Sequence, residues 1–114
     1  RDQLAGNHIA IQFQDSLYLL LAHLQEKSVK VKVGDPVQVG DPIAKVGMSG
    51  NTDFCHLHIH IQDRRDYDIE NGKTYPIRFR NFRRKRFLTW QKRVDDYLLS
   101  NDIVEKIENT LQER

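Results

Sequence analysis

Three histidines occupy alternate positions in one short apolar run, Cys55-His56-Leu57-His58-Ile59-His60-Ile61-Gln62. Alternation is the period of a β-strand, so the three imidazoles leave one face. Leu57, Ile59 and Ile61 leave the other face, where they can enter a core. A row of imidazoles suits metal binding or proton transfer far better than it suits apolar packing. The run therefore predicts a strand with one chemical face and one packing face.

The chain has 114 residues, the size of one domain, and its 39% apolar and 30% charged content fit a globular fold. No apolar run is long enough to cross a bilayer, and no signal peptide opens the sequence. Residue 1 is arginine, which leads us to expect a processed product or a fragment. The single cysteine excludes an internal disulfide and leaves the redox compartment unread.

Before the histidine run the sequence reads as short strands and tight turns. Asn7 to Phe13 alternates, with Ile9, Ile11 and Phe13 on one face. Leu17 to Leu24 is apolar almost throughout and reads as a buried strand, with a helix as the alternative because leucine does not favour strands. Val29, Val31 and Val33 alternate with Lys30 and Lys32, which predicts an amphipathic strand. A small repeat follows, Val33-Gly34-Asp35-Pro36-Val37 and Val39-Gly40-Asp41-Pro42-Ile43, in which each Gly-Asp-Pro is turn chemistry between very short β pieces. Gly47 to Asn51 makes a loop.

After the histidine run the pattern weakens. Asp63 to Tyr75 is polar with a turn at Asn71-Gly72. Ile77 to Arg80 alternates and predicts an edge strand. From Ile77 to Val94 there are eight Lys or Arg residues and no acid, whereas Asp95 to the end carries six acids. Such a block can bind an anionic surface, but it equally suits a solvated strand face with a basic loop. In the tail, Ile103, Val104, Ile107 and Leu111 fit a helical stripe capped by Asn101 or Asp102. Tyr97 to Leu99 and Asp102 to Val104 could instead be strands returning to the sheet.

Several spaced motifs occur in one order: Gly6-Asn7-His8-Ile9, Ala22-His23-Leu24, Val31-Lys32-Val33-Gly34-Asp35, Val46-Gly47, Ser49-Gly50-Asn51-Thr52 and His56-Leu57-His58-Ile59. In that order they resemble the second half of a lysostaphin-type (LytM-type) zinc metallopeptidase domain. The resemblance covers about half of the chain and extends weakly to Asp102-Ile103-Val104. It implies a mainly β fold, a compact antiparallel sandwich or barrel-like domain of the duplicated hybrid motif type, with a short C-terminal helix as an option. Residues 1–80 would form the peptidase-like β domain with its N-terminal part missing, and residues 81–114 a basic stretch and extension of the same domain.

The resemblance also implies an activity, zinc-dependent cleavage of peptide cross-links in bacterial peptidoglycan, and hence an extracytoplasmic location. His58 takes the place of a zinc ligand, and His23 and His56 the places of two catalytic histidines that orient or deprotonate water and stabilise the oxyanion. The chemistry is sound, because an imidazole exchanges protons near neutral pH. The family's other two ligands, a histidine and an aspartate, have no counterpart at the proper place; His8 and Asp15 are the only nearby candidates, and His8 is expected to be structural. This chain alone is therefore expected to be inactive.

Other residues take blander roles. His60 is expected to line the groove or pair with a neighbour. Cys55, on the opposite face from the histidines, is expected to be a packed thiol. Lys45 lies in a strand rather than a tight turn, which argues against a biotinyl or lipoyl carrier. Two other functions stay open: a non-catalytic wall-binding or hydrolase-regulating module of the same fold, and, least favoured, nucleic-acid binding through Arg78 to Lys92, which no nucleic-acid motif supports.

Overall fold

A computed structural model describes residues 2–68, 70–99 and 102–106. The chain forms two compact units, residues 1–75 and 76–114. Both are antiparallel β structures, as the alternating sequence demands, and among the described residues helix is confined to one turn, α1 (Asp2–Ala5).

The first unit is a four-stranded sheet in sequence order: β1 (Asn7–Gln14), β2 (Leu17–Leu24), β3 (His58–Gln62) and β4 (Thr74–Tyr75). β1 and β2 form a hairpin closed by Asp15-Ser16, with Ser16 in the left-handed region at φ 63°. Leu17 to Leu24 is thus a strand, because its leucines meet apolar partners on both faces of the sheet. Ile9, Leu21 and Ile59 lie across one face, as do Ile11, Leu19 and Ile61, and all six are half-buried. On the other face Ala10 and Leu20 stand beside His60. The core cluster is on this second side: Ala5, Leu20, Ala22 and Tyr67, with Ala10 and Tyr18 against it.

This reverses one expectation. The histidine face carries the buried cluster, while Leu57 is 40% exposed and Ile59 and Ile61 are only half-buried. Imidazoles can share a buried face when their nitrogens are hydrogen-bonded, and here a polar chain meets that need.

The segment between β2 and β3 contains no strand. Val29 to Val33 is irregular, tied by one backbone bond from Lys30 N to Ile43 O of 2.8 Å. The two Gly-Asp-Pro repeats are turns, as their chemistry predicts, but without β pieces between them. In each turn the aspartate carboxylate accepts from the backbone three residues earlier: Lys32 N to Asp35 Oδ2 is 2.8 Å and Gln38 N to Asp41 Oδ2 is 2.9 Å. The aspartate N–H returns a bond to the same residue, and Gly34 and Gly40 take φ 97° and 95°. These local bonds satisfy the backbone without a partner strand, which is why the valine alternation gives no strand here.

The second unit is a three-stranded sheet in the order β6-β5-β7, with β5 (Phe79–Arg86), β6 (Thr89–Asp96) and β7 (Ile103–Lys106). The tail therefore returns as a strand and not as a helix as far as Lys106; residues 107–111 of the helical stripe lie outside the described residues. The opposed charge blocks of the sequence meet here. Arg78 pairs with Asp95, Arg83 with Glu105, Arg84 with Asp96, Arg86 with Asp102 and Arg93 with Asp96. Arg86 forms a fork on Asp102, Nε to Oδ1 at 2.9 Å and Nη2 to Oδ2 at 2.6 Å, and Leu99 N donates to the same carboxylate at 2.8 Å. The Arg86 bond first, then the Leu99 N–H, hold the Asp102 carboxyl well below the usual carboxylate range.

The sign of the pH effect follows. A carboxylate with a depressed folded pKa adds stability above its ordinary value of 3.8 and loses it as pH falls toward the folded value. Hydrogen-exchange protection across the β5–β7 ladder should hold down to about pH 4 and fall in stronger acid. Asp102→Asn should lower it at neutral pH as well.

Candidate active site

The register of β2 against β3 builds the site. Ala22 lies opposite His58, Leu20 opposite His60 and Tyr18 opposite Gln62. Directly paired residues share a face, so the histidine row stands over small and apolar neighbours. Tyr67, only 6% exposed, packs onto the row from the loop after β3: its ring centroid is 5.6 Å from His60, 6.0 Å from His58 and 6.2 Å from His8.

His23 follows Ala22, and regular alternation would send it to the opposite face from His58. It does not go there. Asn7 pairs with Leu24 and Ile9 with Leu21, so β2 carries one extra residue in this stretch, a β-bulge. His23 itself takes φ 63°. That left-handed conformation costs a non-glycine residue about 1–2 kcal/mol. It brings the buried imidazole to 5.8 Å from His58 and 4.9 Å from His56, between ring centroids.

The Ser49 loop holds the bulge. His23 Nδ1–H donates to Ser49 O at 2.8 Å. Ser49 Oγ donates to Leu24 O at 2.6 Å and accepts from Asn7 N at 3.0 Å, bridging the two strands at the bulge. The loop can reach that far only because Gly50 and Gly6 meet backbone to backbone. A Cβ on Gly50 would lie 2.5 Å from Gly6 N, and one on Gly6 would lie 2.4 Å from Ser49 C. Both glycines also have positive φ, 82° and 66°.

His56 precedes β3 and is tied to Gly47 by one bridge, with His56 N donating to Gly47 O at 3.2 Å. Its Nδ1–H faces Phe54 O at 3.0 Å and Thr52 Oγ1 at 3.2 Å. A carbonyl can only accept, so Nδ1 carries the proton. His23 and His56 thus have the same tautomer, each with an accepting Nε2. His58 bonds through Nε2 to His60 Nδ1 at 2.8 Å. Burial, and next the neighbouring His60, His23 and His56, lower the His58 pKa, which keeps this ring neutral at physiological pH.

The three residues predicted to act, His23, His56 and His58, are therefore brought together. His60 pairs with His58, as a neighbour-pairing role requires. His8 Nδ1–H donates to Gly6 O, 2.9 Å away, beside Tyr67, and Asp15 lies in the β1–β2 turn. Cys55 departs from expectation: it is exposed, because the chain there is an irregular lead-in to β3 and gives the thiol no packing face. Tyr67, Ser49 and Gln62 were not singled out from the sequence. Ser49-Gly50 stood within a recognised motif, but Tyr67 is one aromatic in a polar stretch and carried no signal.

The arrangement is not a complete metal centre. Among the described residues no group of three His, Cys, Asp or Glu side chains is placed to hold an ion. A catalytic metal needs about three protein ligands. The imidazoles can nevertheless take up and return protons, the chemistry of a hydrolase site in a β-rich domain. Comparison with known proteins sharpens that class. The profile of peptidase family M23 matches residues 1–73. The chain belongs to this metallopeptidase family, the lysostaphin-type group its motifs resemble. Over 60 residues it is 42% identical to an uncharacterized metalloprotease of Buchnera aphidicola subsp. Baizongia pistaciae (strain Bp). That alignment takes in 50% of this chain and 15% of the relative. No solved structure matches the chain.

Substituting Gly50 by alanine should cost at least about 2 kcal/mol, from backbone strain and from the clash with Gly6. Denaturant unfolding measures it. Ser49→Ala should cost about 1–3 kcal/mol by leaving Leu24 O and Asn7 N without their partner.

Proposed function

We propose that this chain is the downstream part of a zinc-dependent endopeptidase domain that cleaves peptide cross-links of bacterial peptidoglycan outside the cytoplasm. The observation that carries the reading is the convergence of His23, His56 and His58, achieved through a bulge with a strained backbone at His23. In this reading His58 is a metal ligand, and the remaining ligands come from outside the described residues. His23 Nε2 and His56 Nε2 face the reacting water and the peptide. One accepts the proton of the attacking water and returns it to the leaving amine, and the other steadies the tetrahedral oxyanion. The substrate in this reading is an extended peptide. Arg78, Arg83, Arg84 and Arg86 are ion-paired with acids of their own unit, so the basic stretch is not assigned a nucleic-acid role.

The second reading, a non-catalytic wall-binding or hydrolase-regulating module, is favoured by one observation, the missing ligand cluster among the described residues. Metal analysis separates the two. The 114-residue chain should hold no stoichiometric zinc, whereas a form extended toward the N-terminus should hold one, lost in His58→Ala. On cross-linked peptidoglycan, the extended form should release new amino termini. His23→Ala or His56→Ala should slow that release by about 10²–10⁴-fold with zinc retained. An extended form that binds peptidoglycan but carries no zinc and releases nothing establishes the regulatory module instead.

A further inference from the structure

Beyond His58 lies a polar chain that the peptidase chemistry does not by itself require. His58 Nε2 meets His60 Nδ1 at 2.8 Å, and His60 Nε2 meets Gln62 Oε1 at 2.6 Å. The Gln62 amide nitrogen reaches two backbone carbonyls, Arg64 O at 2.8 Å and Asp66 O at 2.5 Å. Gln62 is fully buried, in the same strand as the histidines and at alternate positions with them. A buried glutamine in a central strand is costly unless its whole amide is paired, and here it is.

The direction of this chain is fixed from its far end. Two carbonyl oxygens can only accept, so the amide group facing them must be the NH2. The flipped amide would set Oε1 against both oxygens at hydrogen-bond distance. Oε1 therefore points at His60, and as an acceptor it requires a proton on His60 Nε2. A neutral His60 protonated at Nε2 has its lone pair on Nδ1. His58 must then supply the proton in the bond between the rings, which places hydrogen on His58 Nε2 and the lone pair on His58 Nδ1.

We propose that Gln62 is a positioning residue: through His60 it locks His58 in the Nε2–H tautomer and leaves Nδ1 as the one ring nitrogen of His58 able to bind an electrophile. The backbone carbonyls of Arg64 and Asp66 are the fixed reference, and the proton positions of two imidazoles follow from them. Metal-bound imidazoles commonly owe their orientation to a hydrogen bond at the other ring nitrogen. The unusual point is that the orienting group is itself a histidine, which could run the bond either way, so a third residue is needed to choose. The consequence for metal binding rests on the peptidase reading, but the tautomer does not.

Long-range 1H–15N spectra of the histidine rings test the idea on the 114-residue chain, without metal or substrate, at a pH where the imidazoles are neutral. Native protein should show His58 protonated only at Nε2, with a scalar coupling across the N–H···N bond to His60 Nδ1. Gln62→Leu removes the acceptor, so His60 becomes free to reverse; a fraction of His58 should then carry its proton on Nδ1. Gln62→Glu retains an acceptor toward His60 and should restore the native tautomer while still losing stability, because the two carbonyls lose a donor. A purely structural role for Gln62 would lower the melting temperature in both variants and leave the His58 tautomer untouched in both. That result, or a native His58 protonated at Nδ1, overturns the proposal. Should Gln62→Leu fail to fold, Gln62→Met, which keeps the length of the side chain and also removes the amide acceptor facing His60, takes its place. Absence of zinc or of peptidase activity in the extended form would sink the function proposed above and leave this tautomer assignment standing.

Discussion

The bond from His23 Nδ1–H to Ser49 O holds the site together. A β-strand offers two faces and no third direction. Residues 22 and 23 cannot both stand beside β3 unless the strand breaks its alternation. The bulge provides that break, and the left-handed backbone at His23 aims the ring. Neither would persist alone, since each costs conformational energy. The Ser49 loop offsets the cost by accepting the imidazole proton and bridging Leu24 and Asn7 with its hydroxyl. The Gly6–Gly50 contact is what lets the loop come close enough. A chain of small requirements thus ends in one ring placed near two others.

Strand-borne and loop-borne histidines divide the work differently. His58 and His60 sit in a paired strand and inherit its rigidity from the β2 ladder. His56 lies just outside, held by one backbone bridge and by its Nδ1–H. The site therefore joins a fixed imidazole to one on a less constrained backbone, with Tyr67 sealing the fixed side.

Much of this was legible in the sequence, for identifiable reasons. The period-2 pattern marked β1 and the histidine strand, a short run apolar almost throughout marked β2 with a helix as the alternative, and the Gly-Asp-Pro repeats marked their turns. The ordered motifs pointed to the family and to His23, His56 and His58. What misled was alternation without a partner strand: Val29 to Val33 has the pattern of a strand, but its one bond to a neighbouring segment, Lys30 N to Ile43 O, is not continued into a ladder, and local aspartate bonds prevail. The core was assigned to the wrong face because Gln62 and Tyr67 make a polar row compatible with burial, and pairing of that kind cannot be read from residue types. The C-terminal stripe fitted two periods at once, and the Arg86–Asp102 fork belongs to the strand arrangement that occurs.

The two Gly-Asp turns bear on how the sheet comes to form. β2 and β3 are adjacent in space but separated by the whole stretch from Leu24 to His58, so their pairing must close a long loop. Closure entropy grows with loop length, by about 0.6 kcal/mol per doubling for a flexible chain. Each turn closes within four residues and needs nothing else, so both can form in nanoseconds to microseconds, before any strand pairs. They shorten the effective contour of the loop in advance. The repeat thus bears on the rate at which the histidines find one another more than on where they come to rest.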